Sequence, residues 1–192
     1  MMVDDSFDTS KQLRAREGTE EIVLLFVGSG YWPNVEGVRW FVRNVMTKLP
    51  SMYTLKIVGR GLEKLDAELG AIEGVDVIGA CESVSDWYLE ADLVIAPILH
   101  GDGMKTKVAE ALMFGRRVLG SSEALVGYED STCILCETPE DYIREIGKCV
   151  EHGDLGYRFD SRADFEAHYS SRTLGARVSE AIDRSIRRRK ER

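Results

Sequence analysis

Apolar and polar positions fall into blocks along this chain, and the blocks change period. Ile22-Val23-Leu24-Leu25-Phe26-Val27 is an unbroken apolar run that stops at Gly28, the pattern of a strand covered on both faces. From Gly37 to Leu49, the residues Val38, Phe41, Val42, Val45 and Leu49 recur at steps of three and four. That spacing predicts a helix, which Pro50 stops. The same reading predicts a strand over Leu55–Gly59, a helix over Leu62–Leu69 ended by Gly70, and a strand over Val75–Gly79. A short helix over Val84–Ala91 and a strand over Leu93–Pro97 follow. Beyond them come a helix over Lys105–Phe114, a strand over Arg117–Gly120, a strand over Ser131–Glu137 and a helix over Pro139–His152. From about Arg162 the chain is expected to be helical to its end.

Repeated strand–helix units of this length predict an α/β fold: a single Rossmann-like domain with a parallel sheet of about six strands and helices on both faces. The expected division is a flexible lead over residues 1–19, the domain over 20–182 and a basic helix end over 183–192. A sheet of this kind takes ligands at the carboxyl ends of its strands. The loops after Val27, Val58, Ile78, Pro97 and Leu119 are therefore where function is expected.

Composition narrows the class. At 192 residues, 44% hydrophobic and 30% charged, the chain suits one globular domain and is too apolar for disorder throughout. No apolar run approaches the roughly 18 to 20 residues of a membrane span, and the polar, acidic start does not resemble a secretory signal. Four Cys without dense spacing point to a reducing compartment, so a cytoplasmic location is expected. Cys133 and Cys136 lack a second pair to complete a zinc site and fall in a strand, so they read as structural.

Charge is uneven. The formal net charge is -8, yet Arg184–Arg192 holds six basic side chains and one acidic one, a local +5, which leaves -13 on the rest. An acidic body argues against nucleic-acid binding. The basic tail reads either as a solvated helix end that complements the helix dipole or as a peripheral contact with an acidic partner or the anionic inner face of a membrane.

The loops carry the candidate chemistry. Gly28-Ser29-Gly30 and Gly59-Arg60-Gly61 both follow strands, but Pro33 and Lys64 stand where a dinucleotide fingerprint needs its third glycine. A nicotinamide cofactor is not expected. Gly28 and Gly30 either let a ligand approach the backbone or form a plain turn. Pro97–Gly120 is more informative. Gly101 and Gly103 precede a helix whose first N–H groups lack internal partners, and such a start attracts anions. Lys105 and Lys107 lie in that first turn, where cations are normally disfavoured, so an anion is expected beside them, with phosphate the economical choice. Asp102 and Glu110, eight residues apart, are either ligands for hydroxyls at two ends of an extended molecule or a solvated pair.

These segments resemble a known family. Phe26-Val27-Gly28-Ser29 with Trp32-Pro33-Asn34-Val35-Glu36-Gly37, Leu55–Gly61, Val77-Ile78-Gly79, Ala91–Pro97, Gly101–Leu112, Gly115–Gly120 and Leu125–Tyr128 are similar, in order and spacing, to the C-terminal domain of group 1 glycosyltransferases of the GT-B architecture. The resemblance runs over about residues 20–182. It implies a donor-binding domain that holds a nucleotide-diphosphate sugar for transfer, of a hexose and with retention, to an acceptor in polysaccharide biosynthesis. The N-terminal half that holds the acceptor would lie in the parent chain or in a separate subunit, and this chain alone would be inactive. A non-catalytic nucleotide-binding or interaction module of the same fold, acting through a partner chain, is the rival expectation.

By the same resemblance, Glu110 holds the ribose hydroxyls, Asp102 lies by the donor sugar, and Gly101, Gly103, Met104 and Lys105 take the pyrophosphate. Asp102, Glu110 and Lys105 are thus the expected catalytic group. Gly28, Ser29 and Gly30 approach the phosphates, and the loop from Gly79 to Glu82 lies against the base. No metal and no cofactor beyond the donor are expected, and the chain has no Asp-x-Asp. Two departures stand out. Asp102 is one methylene shorter than the family's usual Glu, and the Arg and Lys that many members carry after the first strand are absent from Ser29–Glu36. His100 is either a titrating group near the site or a solvated loop residue.

Overall fold

A computed structural model of the chain describes residues 21–101 and 103–190. The expected lead over residues 1–19 lies outside them. Six strands form one sheet: β1 (Ile22–Val27), β2 (Tyr53–Val58), β3 (Val75–Gly79), β4 (Leu93–Ala96), β5 (Arg117–Gly120) and β6 (Ile134–Leu135). Every residue of β1, β4 and β5 is buried, as the unbroken apolar runs of β1 and β4 require, and β5 buries Arg117 as well. Each fully buried Leu, Ile or Phe side chain stabilises the fold by about 1.5–3 kcal/mol.

All neighbouring strands run parallel, in the order β3-β2-β1-β4-β5-β6. The helices are α1 (Trp32–Asn44), α2 (Asp66–Leu69), α3 (Ser85–Glu90), α4 (Thr106–Met113), α5 (Pro139–Glu151), α6 (Phe159–His168) and α7 (Ser171–Lys190). The order steps one way from β1 to β3 and the other way from β3 through β4 to β5. Right-handed crossovers therefore put α1 and α2 on one face and α3 and α4 on the other. Contacts agree with this. Arg39 and Arg43 of α1 pair with Glu68 of α2, and Phe41 of α1 meets Tyr142 of α5 edge to face at 5.3 Å. Across the sheet, Tyr88 of α3 stacks on Phe114 at the end of α4 at 5.0 Å, and Arg162 of α6 donates to the Met113 carbonyl at 2.6 Å.

Four segments depart from the sequence reading. The helix expected over Leu62–Leu69 is α-helical only over Asp66–Leu69, after a 3-10 turn over Glu63–Leu65. Helix α1 begins at Trp32, five residues before Gly37, with Pro33 in its first turn. The turn from Trp32 to Glu36 is mostly half-buried and so carries no apolar period, and the glycine inside the helix has a packing cause. A Cβ on Gly37 would overlap the Pro97 carbonyl oxygen, so the missing side chain lets α1 lie against the end of β4. Strand β6 is two residues long instead of seven, because only Ile134 and Leu135 reach β5. The C-terminal helical stretch is broken at Tyr169 and Ser170 into α6 and α7, and α7 runs unbroken through residues 182 and 183.

Cys133, Cys136 and Cys149 are unbridged. Burial pushes the Cys133 thiol up to about 11 and the Cys136 thiol up to about 12, which suits packing rather than reactivity. Among the described residues, no helix is long and apolar enough to cross a membrane.

Candidate functional site

The strand order reverses direction between β1 and β4. In open α/β sheets the crevice outside the carboxyl ends of such a pair is where ligands bind. Three segments converge there: the loop from Gly28 to Tyr31, the first turn of α1, and the stretch from Pro97 into α4.

Gly28 and Gly30 serve the loop's own packing. Gly28 donates its N–H to the Val58 carbonyl at 2.9 Å and Gly30 donates to Arg60 at 2.8 Å. A Cβ on Gly30 would lie 2.9 Å from the Gly61 carbonyl oxygen, so the two glycine loops lie against each other. Ser29 is held from the other side, where the Asn34 amide donates to its carbonyl at 3.1 Å and approaches its hydroxyl at 3.4 Å. Tyr31 and Trp32 are exposed at the start of α1, and His100 faces Trp32 with ring centroids 6.1 Å apart.

Helix α4 brings its polar residues inward. Lys107 and Glu110 are only 9% and 8% exposed, three residues apart and therefore on one face. The Tyr88 hydroxyl lies 3.1 Å from Glu110 Oε2 and 3.3 Å from the Lys107 carbonyl, and its single proton serves one or the other. Burial raises the Glu110 carboxyl above its ordinary range, while the Tyr88 hydroxyl and the Lys107 ammonium oppose that rise. Lys107 Nζ donates to Asn34 Oδ1 at 2.6 Å and lies 4.4 Å from the centre of the Phe26 ring. Burial brings its pKa down to about 7, with Glu110 opposing and Lys105 reinforcing the drop.

Lys105 faces elsewhere. It caps α4, and its ammonium donates to the Gly103 carbonyl at 2.7 Å and pairs with Glu123 Oε1 at 3.3 Å. Its carbonyl accepts from the Tyr128 hydroxyl at 3.0 Å. Gly101 and Gly103 adopt left-handed φ values of 149° and 66°, and Met104 is exposed against Gly127. Gly79 ends β3, with a Cβ there set to overlap Glu63. Asp102 lies outside the described residues. Of the residues singled out from the sequence, Gly28, Ser29 and Glu110 thus join one constellation through Asn34 and Lys107, while Lys105 belongs to a neighbouring one with Glu123.

Sequence reasoning missed Asn34 and Tyr88, and it noted Lys107 without setting it apart from Lys105. Lys107 left a readable signal in its three-residue spacing to Glu110. Asn34 and Tyr88 left none, being 73 and 22 residues from their partners.

Comparison with known proteins bears on this arrangement. The family model described as "Glycosyl transferases group 1" matches residues 21–152, more than half of the chain. The chain belongs to the group 1 glycosyltransferases. No curated protein matches it by sequence. Among solved structures, this glycosyltransferase domain is similar to Anabaena HepE in complex with UDP and glucose, with a TM-score of 0.73 and 14% identity. That match covers 95% of this chain and 55% of HepE. Sucrose-phosphate synthase from Thermosynechococcus elongatus gives a TM-score of 0.71 at 15% identity, over 93% of this chain and 49% of the synthase. The C-terminal domain of LpcC, a group 1 family protein of Francisella tularensis, gives 0.61 at 15% identity, over 86% of this chain and 99% of that domain. The fold is that of a GT-B glycosyltransferase domain, and the chain spans about half the length of HepE and of the synthase.

Proposed function

We propose that this domain binds a nucleotide-diphosphate sugar and presents it for transfer, with retention, of the hexose to an acceptor held by an N-terminal half of the GT-B type. The observation that carries the reading is the placement of Glu110. A carboxylate on α4, the helix that leads away from the β1–β4 crevice, is buried and held by a tyrosine from α3. An ionised carboxylate is a strong acceptor for a ribose diol, and its partial protection from water sharpens that selectivity. Neighbours of the same fold solved with UDP or UDP-glucose support the nucleotide class.

In this reading Glu110 accepts from the ribose hydroxyls. Gly101, Gly103, Met104 and Lys105 line the phosphate side at the start of α4, where unpaired N–H groups and the helix dipole favour an anion. Gly28, Ser29 and Gly30 close over the phosphates, the loop after Gly79 approaches the base, and Asp102 lies by the sugar. Charge building on the departing nucleoside diphosphate would then meet fixed donors in place of reorganising water. Neutralisation falls to residues of the chain, with no metal required.

The test is Glu110→Ala. The variant should unfold cooperatively near the wild-type temperature and lose saturable binding of the cognate nucleoside diphosphate in calorimetry. Undiminished affinity would overturn the assignment.

A further inference from the structure

A second recess lies outside the donor crevice, along the face of α1 turned away from the sheet. Trp32, Trp40 and Leu99 give it apolar walls, and Glu36, Arg39 and Arg43 give it polar ones, around about 480 Å³ of space. Small-molecule sites span about 300–1,000 Å³. From Trp32 to Arg43 the groove follows about 16 Å of helix, a length that suits an extended ligand.

Two of its features have no use in the fold. Trp32 is 55% exposed, yet its indole is flanked by Tyr31 at 6.3 Å and His100 at 6.1 Å. A ring already held in place loses little freedom when a ligand lies on it. Glu36 Oε2 is closed off from water without a hydrogen-bond partner, and such an orphan is costly. A ligand hydroxyl that draws the carboxylate into the groove gives it a donor.

Charge decides the kind of ligand. Arg39 and Arg43 come to the groove already paired with Glu68, at 2.7 and 2.5 Å. Glu36 balances the second arginine, so the groove is neutral. A phosphate or an acidic peptide needs a positive excess, and an apolar helix needs a centre without charged side chains. A neutral saccharide needs neither. Its rings offer apolar C–H faces to the indoles and a rim of hydroxyls to carboxylate and guanidinium groups. Asn44, also at the groove, spends an amide N–H on the Trp40 carbonyl at 2.8 Å, which leaves its oxygen to accept.

We propose that the α1 groove is a binding site for a neutral oligosaccharide, with Trp32 and Trp40 as stacking platforms and Glu36, Arg39 and Arg43 as hydroxyl contacts. Trp32, in the first turn of α1, stands at the crevice end. A glycan in the groove is therefore held with one end beside the crevice. This site goes beyond the donor reading and does not depend on it.

The experiment follows the indole N–H signals of the three tryptophans by NMR in the ¹⁵N-labelled chain. The probes are maltohexaose, cellohexaose, mannohexaose and galactohexaose, with hexagalacturonic acid as the anionic control. Trp87, on α3 across the sheet, is the internal reference. At least one neutral hexasaccharide should move the Trp32 and Trp40 signals saturably and leave Trp87 in place. Trp32→Ala, at an exposed position on which the fold does not rest, should weaken that binding about 10-fold or more, and Glu36→Ala several-fold. Nucleoside diphosphate affinity should match wild type in both variants. Indoles that no hexasaccharide moves would overturn the proposal, as would undiminished affinity in Trp32→Ala. So would a response confined to hexagalacturonic acid, which gives the groove to an anion. Shifts that track protein concentration instead of sugar would also overturn it and give the groove to a second copy. Lost nucleotide binding with the sugar response intact would strike the donor reading alone.

Discussion

The Tyr88 hydroxyl stands 3.1 Å from Glu110 Oε2, with the Tyr88 ring stacked on Phe114. Helix α3 thereby aims a carboxylate that α4 carries. Stacking fixes the ring, the ring fixes the hydroxyl, and the hydroxyl fixes the acid.

Tyr88→Phe separates aim from packing. The ring stack survives, so the fold should lose no more than about 0.5–1.5 kcal/mol, the net worth of one hydrogen bond. The hydroxyl also lowers the Glu110 pKa, so the variant's carboxyl should protonate at a higher pH. Nucleotide affinity, which needs the ionised acid, is expected to fall several-fold at neutral pH. As pH drops it should be lost earlier than in wild type. Calorimetric titrations across a pH series check both effects, and superimposable pH profiles would exclude the aiming role.

Lys107 also makes a prediction about stability without ligand. Its folded pKa of about 7 lies below the ordinary value of 10.5. Between those two values the unfolded chain binds the proton and the folded chain does not, so this group makes stability rise with pH across that window and costs most below pH 7. Lys107→Met should therefore be the more stable protein below pH 7, by about 1–4 kcal/mol. The advantage should shrink as pH climbs towards the upper value. Denaturant midpoints at several pH values measure this. A variant less stable than wild type throughout would mark the lysine as a structural element.

Gly37 offers a purely steric prediction. The added methyl of Gly37→Ala would meet the Pro97 backbone oxygen, and neither α1 nor the end of β4 has a flexible tip that can yield. Although alanine favours helix by up to about 1 kcal/mol over glycine, overpacking of this kind typically costs about 1–3 kcal/mol. The net effect should be a lower Tm. Because α1 also carries Asn34, diphosphate affinity should fall with it. An unchanged or higher Tm would show that α1 does not rest on Pro97.

How much of this could be read from the residues depends on distance along the chain. Ile22–Val27 declares β1 to the residue, because a strand buried on both faces leaves no polar position to blur its ends. Helix α5 is as clear. Pro139 opens it, and Thr138 with Asp141 forms a capping box at its start. The start of α1 was hidden because a glycine inside a helix looks like a boundary until the Pro97 carbonyl explains it. Strand β6 was overdrawn because an apolar-tinged edge segment looks the same whether or not a neighbour pairs with it.

The site was legible in part for the same reason. Glu110 and the glycine-rich approach to α4 lie within ten residues of one another and show as a local oddity. Which of Lys105 and Lys107 turns inward depends on Asn34, Glu123 and Phe26, all brought in by the fold. Tyr88 reaches Glu110 only because right-handed crossovers put α3 and α4 on the same face of the sheet.

The central claim is that the crevice at β1 and β4 holds a nucleoside diphosphate, and thermal unfolding tests it most directly. The chain would be melted alone and with uridine, guanosine, adenosine and cytidine diphosphates and their sugar conjugates. A ligand at 100 times its dissociation constant adds about 2.7 kcal/mol, or roughly 5–10 °C for a domain of this size. The account predicts such a rise with one base and its sugar conjugate, absent in Glu110→Ala. A melting temperature indifferent to every nucleotide would contradict it.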